Sequence, residues 1–156
     1  MYINSLELSH YRNYDALSIS FEPGITILYG DNAQGKTNIL EAIYMSGTTK
    51  SHRGTKDKDI IQFGEEESHI RLNLTKYDVM HRIDMHLKKN KTKGVAVDGQ
   101  SIRKSGELFG MIHIIFFSPE DLSIIKNGPS ERRRFMNLEL CQLNKIYYYN
   151  YVNYNK

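Results

Sequence analysis

The stretch GDNAQGKT, residues 30–37, constrains this chain more than any other. Ahead of it runs GITILY, residues 24–29, nearly continuously apolar, which predicts a buried strand. Behind it Ile39, Leu40, Ile43 and Tyr44 fall at helical spacing, and Gly47 offers a stop. Strand, glycine turn and helix are therefore expected in succession. The turn fits G-x-x-x-x-G-K-[ST], which arises by chance in roughly one chain of this length in a few hundred. Gly30 and Gly35 permit the tight backbone that aims successive N–H groups inward, beside the positive end of the helix. A turn that only joined strand to helix would not need Lys36 and Thr37 at the helix start. In this pattern the lysine reaches the β and γ phosphate oxygens and the hydroxyl ligates Mg²⁺. ATP and Mg²⁺ are the implied cofactors. Gly30, Asp31, Asn32, Ala33, Gln34, Gly35, Lys36, Thr37 and Asn38 are the expected nucleotide-binding residues, with Thr37 on the metal.

Binding phosphate is not hydrolysing it. Hydrolysis also needs a carboxylate at the end of a second buried strand, to hold Mg²⁺ and polarise water. The nearest match, residues 114–117 (IIFF), is followed by Ser118 and Pro119, and Glu120 and Asp121 read better as helix-start residues. No catalytic residue is assigned.

With 156 residues and 40% hydrophobic content the chain is long enough for one packed core. Cys141 is the single cysteine, which excludes an internal disulfide, and the start lacks the pattern of a signal peptide. No stretch approaches the roughly 20 apolar residues of a membrane span. A cytoplasmic location without membrane contact is expected. The net charge of +3 does not by itself announce nucleic acid, so local clusters matter more. Six histidines (His10, His52, His69, His81, His86, His113) lie far apart or, for His81 and His86, on opposite faces of one expected strand; this spacing does not point to a metal site.

Residues 2–8 and 17–21 alternate as partly exposed strands. Residues 48–59 are polar, basic and aperiodic, hence a surface loop. Ile70, Leu72 and Leu74 form one alternating set and Val79, Ile83, Met85 and Leu87 another, turning near Tyr77 and Asp78. Asp98-Gly99 marks a further hairpin, because this pair tolerates positive φ. An antiparallel meander over residues 68–103 follows. Residues 103–109 suit a short helix and 111–117 a buried strand. A helix begins near Ser118-Pro119 and closes at Asn127-Gly128; Pro129 opens another that runs through Phe135, Leu138, Leu143 and Tyr147, with the tyrosine-rich end (residues 147–156) frayed.

HYRNY (residues 10–14), GDNAQGKTNILEAIY (30–44), KSHRGTKDKDII (50–61), FFSPEDL (116–122) and GPSERRRF (128–135), in this order and spacing, resemble the N-terminal part of the RecF family of bacterial recombination mediator ATPases, relatives of SMC-type ATP-binding heads. The resemblance covers nearly the whole chain. It implies an α/β fold with α+β character: lobe I of an ABC/SMC-type P-loop NTPase head, a mixed sheet with the meander, a P-loop helix and C-terminal helices. Residues 1–128 would form the ATP-binding lobe and 129–156 the start of a helical arm. The signature serine motif, the second acidic strand and the aspartate loop of such heads are absent, so steady ATPase activity is expected to be weak or absent. By resemblance, Arg53 reaches toward nucleotide or DNA and Arg12 lies close to the phosphates. Ala33 stands where the family usually has glycine, and Phe117-Ser118 where SMC-type heads place a glutamine.

Arg132, Arg133 and Arg134 occupy the first turn of an expected helix, where the macrodipole disfavours each cation by about 0.3–1 kcal/mol. DNA phosphate would offset this; Glu131 and Glu139 at helical spacing are the alternative. Lys88 and Lys89, with Lys91 and Lys93, form a second cluster at a hairpin tip. Both would contact DNA backbone rather than bases. The implied function is ATP-dependent association with single-stranded, gapped or duplex DNA in replication and recombinational repair, within the response to DNA damage. An ATP-dependent homodimer and other recombination mediators are the implied partners. The alternatives are a small P-loop kinase and an inactive gene fragment.

Overall fold

Period-two alternation builds the first layer. The computed structural model describes residues 1–118 and 128–155. Six antiparallel strands, β1 (Tyr2–Tyr11), β2 (Tyr14–Ser20), β3 (Glu67–Lys76), β4 (Val79–Lys88), β5 (Lys91–Val97) and β6 (Gln100–Ser101), lie in the order β2-β1-β3-β4-β5-β6. Register carries the apolar set to one face. Leu6 stands opposite Leu72 and Leu72 opposite Ile83, while Leu8, Ile70 and Met85 form the next row. All six are buried. The expected turns close these hairpins: Tyr77 and Asp78 adopt φ of 51° and 59°, Asp98 and Gly99 of 52° and 81°.

Helix α1 (Lys36–Thr48) rests on the apolar face through Ile39, Ala42 and Met45. The buried stripe is therefore rotated from the one read in the sequence, and Leu40 is exposed. Gly47 does not stop the helix; it is buried in the last turn, and Thr49 at φ 62° ends it, its N–H donating to the Met45 carbonyl at 2.7 Å. The loop after α1 returns to the sheet, where Arg12 N–H donates to the Ile60 carbonyl and Gln62 N–H to the His10 carbonyl, burying Ile60 and Ile61.

Two expected buried strands are not formed. Residues 24–29 pair with no strand among the described residues, leaving Ile25 95%, Ile27 76% and Tyr29 91% exposed. Over residues 111–117 only Ile112 is buried, on a bridge to Phe109, and Ile115 and Phe117 are 83% and 78% exposed. Both runs are apolar, but a strand is a pairing, and among the described residues no strand supplies their partner backbone.

Met1–Arg103 and Lys104–Lys156 form two compact units. In the second, a 3₁₀ turn at Ser105–Glu107 stands where the short helix was expected. Helices α2 (Pro129–Leu143) and α3 (Lys145–Tyr154) follow. One continuous helix with a frayed end is thus corrected to two. Asn144 breaks the run in extended geometry and its side chain accepts from the N–H groups of Ile146 and Tyr147 at 2.8 and 3.1 Å, so the tyrosine-rich segment is a capped helix. Tyr147 donates to Asn137 Oδ1 at 2.6 Å, and Tyr148 lies against Phe109 and over Gly106, where an added Cβ would overlap its ring. The helix start expected at Pro119 and its end at Asn127 lie outside the described residues.

Candidate phosphate-binding site

The loop at residues 30–37 is shaped by its own glycines and by the β1–β2 turn. Gly35 has φ 97°, and an added Cβ would lie 2.5 Å from Tyr14 Oη and 2.7 Å from Asn13 Oδ1. Only glycine fits there, for conformation and for space. Tyr14 Oη donates to the Gln34 carbonyl at 3.2 Å, Asn13 Nδ2 to the same oxygen at 3.4 Å, and Asn38 Nδ2 to Asn13 Oδ1 at 2.8 Å. Asn13 and Tyr14 of the HYRNY stretch therefore hold the loop in place, a role that no local signal in the sequence marks. Ala33 takes φ 65°, a conformation that glycine adopts without strain.

Helix α1 starts at the end of this loop with no capping side chain and no acidic residue in its first turn. Its positive end thus faces a hollow of about 210 Å³ lined by Asn32, Ala33, Gln34, Gly35, Lys36, Thr37, Asn38 and Arg53. Lys36 Nζ donates to the carbonyls of Gly30 at 2.7 Å and Asp31 at 2.5 Å, which curls the ammonium over the loop. Thr37 is exposed at the same hollow.

Of the two arginines, Arg53 reaches the hollow and Arg12 does not line it. Arg53 donates to Asn38 Oδ1 at 3.2 Å and lies 3.7 Å from Glu41 Oε2. Arg12 grips Glu41 with both arms of its guanidinium, Nε to Oε2 at 2.9 Å and Nη2 to Oε1 at 2.7 Å, and also donates to Asp59 O and Thr55 Oγ1. Glu41 is 0% exposed and accepts a further bond from Ser51 Oγ at 2.5 Å. Burial pushes this carboxyl up, but the bonds from Arg12 and Ser51 and the charges of Arg12 and Arg53 outweigh it and hold it below its ordinary value. No motif in the sequence singles out Glu41. Its helical phase with Ala42 and Met45 on the buried face was the available signal.

The basic clusters are partly compensated. Lys88 faces Glu67 at 3.6 Å, Lys89 faces Glu66 at 3.0 Å, and Lys93 turns away to Asp57 and the Thr49 carbonyl. Arg132, Arg133 and Arg134 are exposed on α2, with Arg134 3.8 Å from Glu131.

The AAA domain family matches residues 5–155 of this chain. The chain belongs to the AAA domain family. Over all 156 residues it is 65% identical to the DNA replication and repair protein RecF of Lachnoclostridium phytofermentans and 48% identical to that of Clostridium perfringens, covering 43% of each. The chain thus spans under half the length of the curated relatives it matches. The solved structure of the recombination mediator protein RecF-ATP in the RecFOR pathway aligns over 99% of this chain and 43% of its own, at TM-score 0.93 and 33% identity. A solved structure of SMC ATPases aligns over 88% of this chain at TM-score 0.70 and 22% identity, a likeness of fold. The resemblance to the N-terminal part of RecF and the head-lobe fold are both borne out. Among the described residues no helix is long and apolar enough to cross a membrane.

Proposed function

We propose that this AAA domain binds ATP and acts as the nucleotide-binding part of a RecF-type protein of DNA replication and recombinational repair in the cytoplasm. The observation that carries the reading is the uncapped start of α1 opening onto a hollow that holds Lys36, Thr37 and Arg53 together. The solved relative with ATP supports it. N–H groups of the loop would hold the phosphates, and the Lys36 ammonium would exchange the Gly30 and Asp31 carbonyls for phosphate oxygens. Mg²⁺ fits the Thr37 hydroxyl, an oxygen ligand of the kind this ion takes, and would shield the phosphate charge. Arg53 would approach the same anion from the rim. Arg12 acts through Glu41 as a positioning residue that keeps Arg53 and the loop after α1 in place.

Hydrolysis would depend on motifs this chain does not contain, supplied by the remaining part of such a protein. DNA would contact Arg132, Arg133 and Arg134, with Lys88 and Lys89 as weaker contributors. Domains 1–128 and 129–156 would serve as ATP lobe and arm, and an ATP-dependent homodimer would bring two sites together on DNA beside other mediator proteins.

Calorimetry with Mg-ATP tests the reading. One site is expected, and Lys36→Ala should weaken it roughly 10- to 100-fold, the worth of a charge-assisted contact. A folded chain that takes up no Mg-ATP at millimolar concentration would refute it. DNA binding should fall steeply with salt and drop in the Arg132→Glu/Arg134→Glu variant; binding indifferent to both changes removes that surface.

A further inference from the structure

The face of the sheet away from α1 carries a cluster that the phosphate site does not use. His69 on β3 stands directly opposite His86 on β4, and Glu67, two residues before His69, projects from the same face. The donor atoms of these three side chains all lie within 4.8 Å of one another. Among the described residues it is the one group of three or more His, Cys, Asp and Glu so arranged. We propose that Glu67, His69 and His86 bind a divalent transition-metal ion of the zinc class on the open face of the sheet.

The geometry fits a small ion. The Glu67 carboxylate reaches both rings, Oε2 at 2.9 Å from His86 Nε2 and Oε1 at 3.8 Å from His69 Nε2. Neighbouring ligands on a tetrahedral ion with bonds near 2.0–2.2 Å stand about 3.4 Å apart, so the two carboxylate–imidazole distances are already close to those of a coordinated set, and the rest of the 4.8 Å cluster closes by side-chain rotation. The rings stack at 4.0 Å and 25°, so their in-plane lone pairs run nearly parallel, and both imidazoles turn about their side-chain torsions to point at one ion. Cross-strand pairing sets this spacing, and backbone rebuilding is not required.

The donor set selects the ion. Two imidazoles and a carboxylate suit Zn²⁺, Ni²⁺ or Cu²⁺, whereas Mg²⁺ and Ca²⁺ prefer oxygen alone. Access is open on both sides. Ser9 pairs with His69 across β1 and Gly94 pairs with His86 across β5, and with Ala96 they help line a concavity of about 680 Å³ over the sheet. The absence of a side chain at Gly94 leaves room beside His86 for water or a partner's group to complete the coordination.

One neighbour opposes the ion. The Lys88 ammonium lies 3.6 Å from the same Glu67 oxygen and competes for it. Removing it should tighten binding.

Zinc calorimetry on the intact chain, stripped of metal and kept free of nucleotide, tests the assignment, with Co²⁺ absorption as a report on ligand number. One equivalent of Zn²⁺ is expected. His69→Ala, His86→Ala and the shape-preserving Glu67→Gln should each weaken it at least about tenfold, while Lys88→Ala strengthens it and Lys36→Ala leaves it unchanged. Circular dichroism without metal shows that the variants remain folded. Stoichiometric binding that survives in the His69→Ala/His86→Ala double variant, or no uptake at all at submillimolar zinc, overturns the site. Lys88→Ala without tighter binding removes Glu67 from it.

Discussion

Glu41 is an anion with no exposed surface, and it remains one because two arginines and a serine hydroxyl replace the water it lost. Such a pair adds little over an apolar substitute, yet breaking it leaves a lone buried charge. Arg12→Ala should therefore cost about 3–5 kcal/mol in urea unfolding, with the Arg12→Met/Glu41→Leu double variant recovering much of the loss. The pH dependence has a definite sign. The folded carboxyl titrates below its ordinary value of 4.5, so its contribution is fully present above that pH and is lost as pH falls through the folded value. Glu41→Gln should accordingly flatten the fall in stability below pH 4.5, measured as the unfolding midpoint at neutral and acid pH. A slope equal to that of the parent chain would show that Glu41 is not the acid-sensitive group. Gly35 is the second residue whose identity is dictated. Gly35→Ala should lose Mg-ATP binding with less effect on unfolding, because the strain falls on the loop and on Tyr14 rather than on the core.

Among the elements, those whose ends are set by local chemistry were legible. Asp98-Gly99 reads as a hairpin turn and is one, since positive φ at two successive residues needs just such a pair. The alternations of β3 and β4 likewise named Ile70, Leu72, Leu74, Ile83, Met85 and Leu87 as buried, which they are, whereas Val79 at the start of β4 is 54% exposed. The division of α2 from α3 was missed, because helical spacing of Leu138, Leu143 and Tyr147 continues across a residue that leaves the helix and caps the next one. Asn144→Ala should destabilise α3 by about 0.5–2 kcal/mol, visible as lost helical circular dichroism ahead of the main thermal transition. Equal helicity throughout melting would mean that packing of Tyr147 and Tyr148 alone holds the segment.

At the scale of the whole molecule, each compact unit exposes apolar side chains of its own, Ile25, Ile27 and Tyr29 in the first and Ile115 and Phe117 in the second. A patch of this kind promotes association unless another surface covers it. Hydrogen exchange should be fast over residues 25–29 and slow over residues 69–74, and Mg-ATP should slow residues 31–37. Protection at 25–29 in the isolated, monomeric chain would contradict the unpaired geometry. The phosphate loop was legible because its chemistry lies within eight consecutive residues. Its supports Asn13 and Tyr14 were not, since they come to it from distant positions, and Arg53 was expected there only through the family resemblance.

The linear order of residues determined the phosphate loop, the alternating strands and the hairpin turns, because each depends on neighbours a few positions away. Tertiary structure alone decided that Arg12 meets Glu41, that His69 faces His86 beside Glu67, and that residues 24–29 stay unpaired. Charge pairing, strand register and burial each need a second backbone brought close from afar, and their free energy exists only once that approach is made.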